Sequence, residues 1–410
     1  KISAKMVGPS DASGVSCQVP IKGIIMSEIG SRRSIAIFVV YLTGFGQGAC
    51  FVTFPALGNV FKNQAFHNFS NADFGSLFAP MIALAILTSI FAGPAARRWG
   101  LKVVLLAGLI SYVLSMGALA STQLILRENV LTYRITLLAI SGVGVGVGTT
   151  LTALNAYAAG LFSEKSEAAL SGLYGIMGVG MALTPLMVGV FIESETWWAA
   201  PIVLSVFFLF LSVAVLVLPL WVAPPPPDTE EGGVWSLLRG LPPRVWGYAG
   251  FIFLYGICET LFGNWAVIFL HEEKGLSPQL AGLALSVFWA MMTAGRFLAA
   301  AISYWFPVRW LLVGMPALIL VTLFALPGVE GHIASIAVFG LGGLACSACL
   351  PFAVSFAEGE CPGTSGLVSG CMVSSVMLGI GAGSWGVGWI QEAGGISFSA
   401  IYTGSGVFAA

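Results

Sequence analysis

The 410-residue chain is 57% hydrophobic and 9% charged, with a mean hydropathy of +0.93. An ordinary soluble domain carries about 25% charge, so no charged shell exists here to solvate a globule of this size. The formal net charge of −1 leaves no basic footprint for nucleic acid or another polyanion.

After a mixed, polar leader at 1–33, apolar runs recur along the whole chain and keep Gly and Pro inside them. That pattern predicts transmembrane helices rather than lipid-facing strands, which would alternate polar and apolar residues. The leader shows no cleavable signal peptide and reads as a cytoplasmic segment. Spans are predicted near 34–60, 74–96, 101–121, 131–162, 168–192 and 197–223. A second set follows near 243–270, 278–306, 308–328, 332–357 and 364–390. A twelfth begins near Ile396, and with about 20 residues needed to cross a bilayer, the chain is expected to stop partway through it.

The loops are short enough for their charges to vote on orientation. Twelve Lys and Arg fall on the amino-terminal side, against Lys62, Arg127, Arg134 and Lys274 on the other, which predicts a cytoplasmic amino terminus. The sequon Asn68-Phe69-Ser70 would then face outward. Between spans 6 and 7 lies Ala223-Pro224-Pro225-Pro226-Pro227-Asp228-Thr229-Glu230-Glu231, the one extended polar, Pro-rich break. It divides the chain into a bundle at 34–223, a linker at 224–241 and a bundle at 242–410. The halves carry a weak parallel repeat: Ser171-Gly172-Leu173 is echoed by Ser365-Gly366-Leu367, and Gly142 and Gly144 by Gly340 and Gly342.

Gly93-Pro94-Ala95-Ala96-Arg97-Arg98-Trp99-Gly100-Leu101-Lys102, between spans 2 and 3, resembles the signature loop of the major facilitator superfamily. Gly93, Arg98, Gly100 and Lys102 match it, but Arg97 stands where that family has an acid. Three further segments resemble the fucose permease branch. These are Gly142 to Phe162 with its alternating glycines, Leu170 to Pro185, and Tyr255-Gly256-Ile257-Cys258-Glu259 leading to Gly263-Asn264-Trp265 and on to Gly295-Arg296. The resemblance implies an all-α membrane fold of twelve helices in two six-helix halves. It also implies a secondary carrier with a sugar-like substrate and possible proton symport. Two departures bear on coupling: the branch's acidic positions in spans 1 and 4 fall on Phe51 and Leu151.

Ionisable groups deep in a bilayer are costly, so each one needs a reason to be there. Glu259 lies about 22 Å along span 7 and Arg296 about 15 Å along span 8, close enough in depth to approach one another. Glu259 reads as a protonatable or substrate-binding carboxylate, with a structural ion pair to Arg296 as the alternative. Gln47, Asn155, Asn264 and Trp265 complete a candidate binding set, because amides grip hydroxyls without net charge and aromatic faces pack on sugar C–H surfaces. Tyr41, Tyr174, Trp289 and Trp385 are further cavity candidates. Arg134 and Arg296 could instead hold the carboxylate of an organic anion or amino acid. A sensor that kept the fold without transporting is the reading from a different class.

Neither a nucleophilic triad nor a metal-ligand spacing is readable. His67, His271 and His332 fall in predicted outer loops, and Cys346-Ser347-Ala348-Cys349 sits inside a span as small packing residues. No cofactor is expected and no enzymatic activity. The expected partners are a small solute, protons and lipid, around a monomer.

Overall fold

A computed structural model describes residues 21–126, 129–162, 166–218, 220, 239–361 and 365–410, with side chains from Arg33 onward. The Pro-rich linker lies almost wholly outside these residues.

Among the described residues, eleven helices are long and apolar enough to cross a membrane, and there is no strand. Spans 1 to 6 are Arg33–Lys62, Asn71–Trp99, Leu101–Ile125, Asn129–Leu161, Ser166–Glu193 and Ala199–Val217. Spans 7 to 11 are Pro243–Gly263, Pro278–Ile302, Val308–Gly328, His332–Glu360 and Gly366–Gly394. The short helix Phe398–Ser405 takes the twelfth place. The polar punctuation sets the helix ends. Ser70 and Asp73 form a reciprocal capping box at the start of span 2, and Ser277 caps span 8 just ahead of Pro278.

One packing scheme occurs twice. Span 1 packs on span 5, span 2 on span 4, and span 3 on spans 4 and 6. Span 7 packs likewise on span 11, span 8 on span 10, and span 9 on span 10 and the twelfth helix. Glycine makes the closest approaches, since without a side chain the backbones can touch. A Cβ on Gly144 would strike the Met81 carbonyl, and one on Gly343 would strike the Phe288 carbonyl. Gly180 against Phe45 and Gly379 against Phe253 form a second such pair. Each contact recurs about 200 residues further on, as a duplicated bundle requires.

Large apolar side chains remain on the outside, including Phe38 at 63% exposed, Phe91 at 66% and Leu114 at 67%. On a soluble protein such a belt would aggregate; around a helical bundle it is the face presented to lipid.

The two sets of helices meet unevenly. Span 5 lies along span 8 from Gly189 against Gln279 to Gly175 against Phe297. Spans 2 and 11 touch only towards the end away from the linker, through Asn71 with Gly388, Gly75 with Ser384 and Ile82 with Gly381. Further towards the linker end, a Cβ on Gly370 or Gly366 would meet nothing within 4 Å among the described residues. Among the described residues, spans 2 and 11 are therefore closed at the far end and parted at the linker end.

Candidate functional site

Glu259 sits on span 7, one helical turn beyond Tyr255. Protein surrounds it closely, yet its side chain keeps accessible surface. A group that is crowded and still reachable lines the wall of a cleft. Tyr255 is buried, and its hydroxyl donates to the Cys346 carbonyl of span 10 at 2.9 Å. The same side chain neighbours the Glu259 carboxyl, which follows it by four residues on the same helix face.

Arg296 on span 8 is an electrostatic neighbour of Glu259, of Tyr255 and of Tyr174 on span 5. It forms no ion pair: among the described residues the only two are Lys62–Glu272 at 3.9 Å and Arg244–Glu360 at 3.3 Å. Its guanidinium reaches the Met292 sulfur at 3.5 Å, and its buried Nε has no partner. Asn155 of span 4 donates to the Tyr174 hydroxyl at 3.1 Å, leaving its own buried Oδ1 unmatched. Tyr174 is 38% exposed. Asn155, Tyr174, Arg296, Glu259 and Tyr255 thus form one neighbourhood drawn from spans 4, 5, 7 and 8. Two of its buried polar atoms, Asn155 Oδ1 and Arg296 Nε, have no partner.

The other sequence-derived candidates lie elsewhere. Gln47 is buried in the first bundle, its Oε1 accepting from Thr150 at 2.8 Å, with the Tyr112 hydroxyl 3.2 Å from Thr150. Asn264 donates to Ser384 at 2.8 Å, and Ser384 meets Thr260 at 2.7 Å, so this amide ties span 7 to span 11. Trp265 is fully buried at the far end, edge-on to Phe74 at 5.0 Å and tilted against Phe398 at 5.5 Å. Trp289 packs on Phe288 at 5.0 Å and on Phe51 at 6.5 Å. An interbundle aromatic contact therefore occupies the span 1 position where the resembled branch has an acid. Tyr41 donates to the Ala169 carbonyl at 2.9 Å, and Trp385 stacks on Trp389 on an exposed face. Arg134 lies near the far end of span 4, away from this neighbourhood.

Lys102 of the signature-like loop donates to the Leu216 and Leu218 carbonyls, both at 2.9 Å, and so caps span 6. Among the described residues Arg97 and Arg98 meet no carboxylate.

The far end is held across the bundles by polar contacts. The Glu392 carboxylate accepts from the Ala72 backbone N–H at 2.8 Å, and Asn71 hydrogen-bonds Gln391. Nearby, His67 is fully buried in the loop after span 1, with Nε2 2.9 Å from Thr122. Phe61, Phe69 and Trp197 surround its ring at 4.9–5.3 Å. Burial pushes its imidazole down to about 4, partly offset by the Val60 backbone.

Sequence reasoning placed His67 in a loop but missed its burial. It also left Tyr255 out of the site, although the four-residue spacing to Glu259 puts both on one helix face.

Doubled bundles, a far-end seal and a polar cleft at membrane depth define an integral, multi-pass membrane transporter rather than an enzyme. The Major Facilitator Superfamily model matches residues 33–384, and the chain belongs to that family. An uncharacterised MFS-type transporter of Yersinia pestis is 24% identical over 341 residues, covering 80% of this chain and 82% of that one. Among solved structures, a mutant of the nucleoside transporter NupG superposes with a TM-score of 0.76 at 15% identity, covering 91% of this chain and 98% of that one. A bacterial homologue of the human lysosomal transporter Spinster, inward-facing and occupied, gives 0.71 at 16% identity, covering 88% and 83%. A D-xylose–proton symporter gives 0.68 at 17% identity, covering 93% and 96%. At these identities the structural likenesses show the fold.

Proposed function

We propose that the protein is a secondary carrier that moves a small polar, sugar-like solute by alternating access, with Glu259 as its proton-coupling group. Residues 34–223 and 242–410 act as the two rocking halves, joined by the linker at 224–241. The segment 1–33 and the linker lie in the cytoplasm, the parted end faces inward, and the protein works as a monomer in the bilayer. Asn155, Glu259 and Arg296 bind the solute from the cleft. Gln47, Asn264 and Trp265 join them as the halves close. Within the superfamily, the glycine-rich spans 4 and 5 support a place in the fucose permease-like branch.

The observation that carries this reading is Glu259 itself, a carboxyl at membrane depth that stays reachable and has no ion-pair partner within 4 Å. The neighbouring nucleoside transporter and xylose–proton symporter lend it the solute class and the ion. The unspent guanidinium of Arg296 supports a second reading, in which the solute is an organic anion or amino acid.

Ligand-dependent thermal shifts at two pH values, followed by flux in proteoliposomes, separate these readings. A sugar hit whose pH dependence disappears in Glu259→Gln supports the first. Hits confined to carboxylates and lost in Arg296→Gln replace it with the second. Wild-type pH dependence in Glu259→Gln removes Glu259 from coupling, and binding without flux leaves a sensor.

A further inference from the structure

We propose that the Tyr255 hydroxyl is a two-position relay that transmits the protonation state of Glu259 to the break in span 10. This rests on the proposed coupling role of Glu259.

Span 10 is not one helix. Its first segment ends at Cys346, residues Ser347 and Ala348 form a turn, and a second segment runs Cys349–Glu360 with Pro351 near its start. A helix end leaves carbonyls without intrahelical donors, and at membrane depth no bulk water replaces them. The Cys346 carbonyl takes its hydrogen bond from outside its own helix, from Tyr255. The turn also rests on span 8, where a Cβ on Gly295 would press on Ser347, beside Arg296. The break is thus touched by the residues next to the two ionisable groups of the cleft.

A phenol carries one proton and donates once, but its oxygen can also accept. Tyr255 donates to the Cys346 carbonyl and sits one turn before Glu259 on the same helix face, so the Glu259 carboxyl is the second acceptor beside it. With Glu259 protonated, Tyr255 donates to Cys346 and accepts from the carboxyl O–H, which matches the observed hydrogen bond to span 10. With Glu259 ionised, the carboxylate is the stronger acceptor, because a charge-assisted hydrogen bond outcompetes a neutral one. The hydroxyl then turns to Glu259, and the Cys346 carbonyl must find a new donor by rearrangement of the turn. The incoming proton comes from water at the linker end and stays on Glu259; the Tyr255 proton changes acceptor without leaving its oxygen. The titratable and charged groups facing Glu259 are Arg296 from span 8, Cys346 and Cys349 from span 10, and Tyr255 from its own helix, with Cys258 beside the two span 10 thiols. Span 11 brings no charged side chain short of Glu392 at its far end.

The test reads the angle of the second segment of span 10. Nitroxide labels go on Ala168→Cys and Ser355→Cys, two exposed positions at the linker ends of spans 5 and 10. Cys17, Cys361 and Cys371 are replaced by Ser. Electron–electron distance distributions of the purified full chain are recorded from about pH 5 to about pH 9, a range spanning the ordinary values of shifted carboxyls and thiols. The parent is expected to move by several ångström with a single midpoint. Glu259→Gln should hold the low-pH distribution at every pH, and Tyr255→Phe, which keeps the ring, should stop following pH. Tyr255→Phe that follows pH as the parent does overturns the relay and leaves the role of Glu259 standing. Glu259→Gln that follows pH as the parent does overturns both. Should Tyr255→Phe not fold, a fluorinated tyrosine at 255 keeps the shape and changes only the acidity of the phenol. A displaced midpoint supports the relay, and an unmoved one ends it.

Discussion

The two bundles share a scaffold and differ in what they leave unsatisfied. In the first, Gln47, Thr150 and Tyr112 form a closed chain of neutral hydrogen bonds, and Phe51 packs on Trp289 where the resembled branch has an acid. In the second, the helices equivalent to spans 1 and 2 carry Glu259 and Arg296, with no ion pair between them. Buried neutral amides rigidify when fully matched, whereas a buried ionisable group responds to its surroundings. The duplicated fold therefore supplies two arms, and only the second carries charge where it could couple binding to movement.

The shared scaffold gives the largest expected effects. Gly144→Leu and Gly343→Leu each drive a side chain into a neighbouring backbone carbonyl, which cannot step aside as a side chain end can. Each should cost at or above the upper end of the about 1–3 kcal/mol typical of overpacking. Thermal unfolding should show losses of similar size in the two bundles. Gly247→Leu, at a position with open space around it, should leave the unfolding temperature nearly unchanged. A large loss for Gly144→Leu with none for Gly343→Leu would show that the halves do not share a packing scheme.

The next effect separates equivalent loops at the far end. His271, after span 7, is exposed with Nδ1 2.8 Å from the Leu276 carbonyl, whereas His67, after span 1, is sealed among aromatic rings. Above pH 6.5 His67 is neutral in the folded and the unfolded chain, and burial costs it no proton. Between 6.5 and about 4 the unfolded chain binds a proton that the folded chain refuses, so stability falls as pH falls. The full window is worth about 3 kcal/mol, since each pKa unit is about 1.4 kcal/mol. His67→Gln should lose less stability than wild type on acidification from about pH 7 to about pH 5. Equal acid sensitivity in the two proteins would remove His67 from the account.

A smaller effect is expected inside the first bundle. Gln47→Ala leaves the Thr150 hydroxyl without its side-chain acceptor, though the Gly146 carbonyl at 2.7 Å remains. The cost should be about 1 kcal/mol, the net value of a typical hydrogen bond. The pH profile of binding should stay as in wild type, in contrast to Glu259→Gln. A shifted profile would place coupling chemistry in both bundles.

How much of this was readable beforehand follows from the range over which each signal acts. Composition and apolar run length expose the helices directly, because lipid demands about 20 apolar residues wherever a helix crosses. The repeat showed through Gly144 and Gly342 only roughly, as the structure pairs Gly144 with Gly343 in the backbone approach. Glu259 and Arg296 stood out by cost alone, and both lie in the cleft neighbourhood. Asn264 carried the same polar signal, yet it ties span 7 to span 11, because an amide's partners are set by which helix faces it. Lys102 matched a family signature, and its observed bonds are to span 6 in its own bundle. His67 gave no local sign of burial, since its cage draws Trp197 and Thr122 from distant parts of the chain.

The smallest effect concerns the one ion pair between the bundles among the described residues, Lys62 with Glu272 at 3.9 Å and the far end. Both side chains keep solvent access, at 20% and 36%. Burial raises the Glu272 carboxyl above its ordinary value despite Lys62 and His271 acting the other way. Desolvation thus outweighs the attraction of the pair. A folded-state value raised in this way means the folded chain holds a proton longer, so this group's contribution falls as pH rises past the ordinary carboxylate value. Lys62→Ala should accordingly cost well under about 1 kcal/mol, the usual ceiling for exposed pairs, and added salt should erase most of it. The far-end seal then depends more on the glycine contacts of spans 2 and 11, the hydrogen bonds of Asn71 and Glu392 and the aromatic packing of Trp265 than on this ion pair. A salt-sensitive loss of several kcal/mol in Lys62→Ala would reverse that order and make charge the main fastening between the halves.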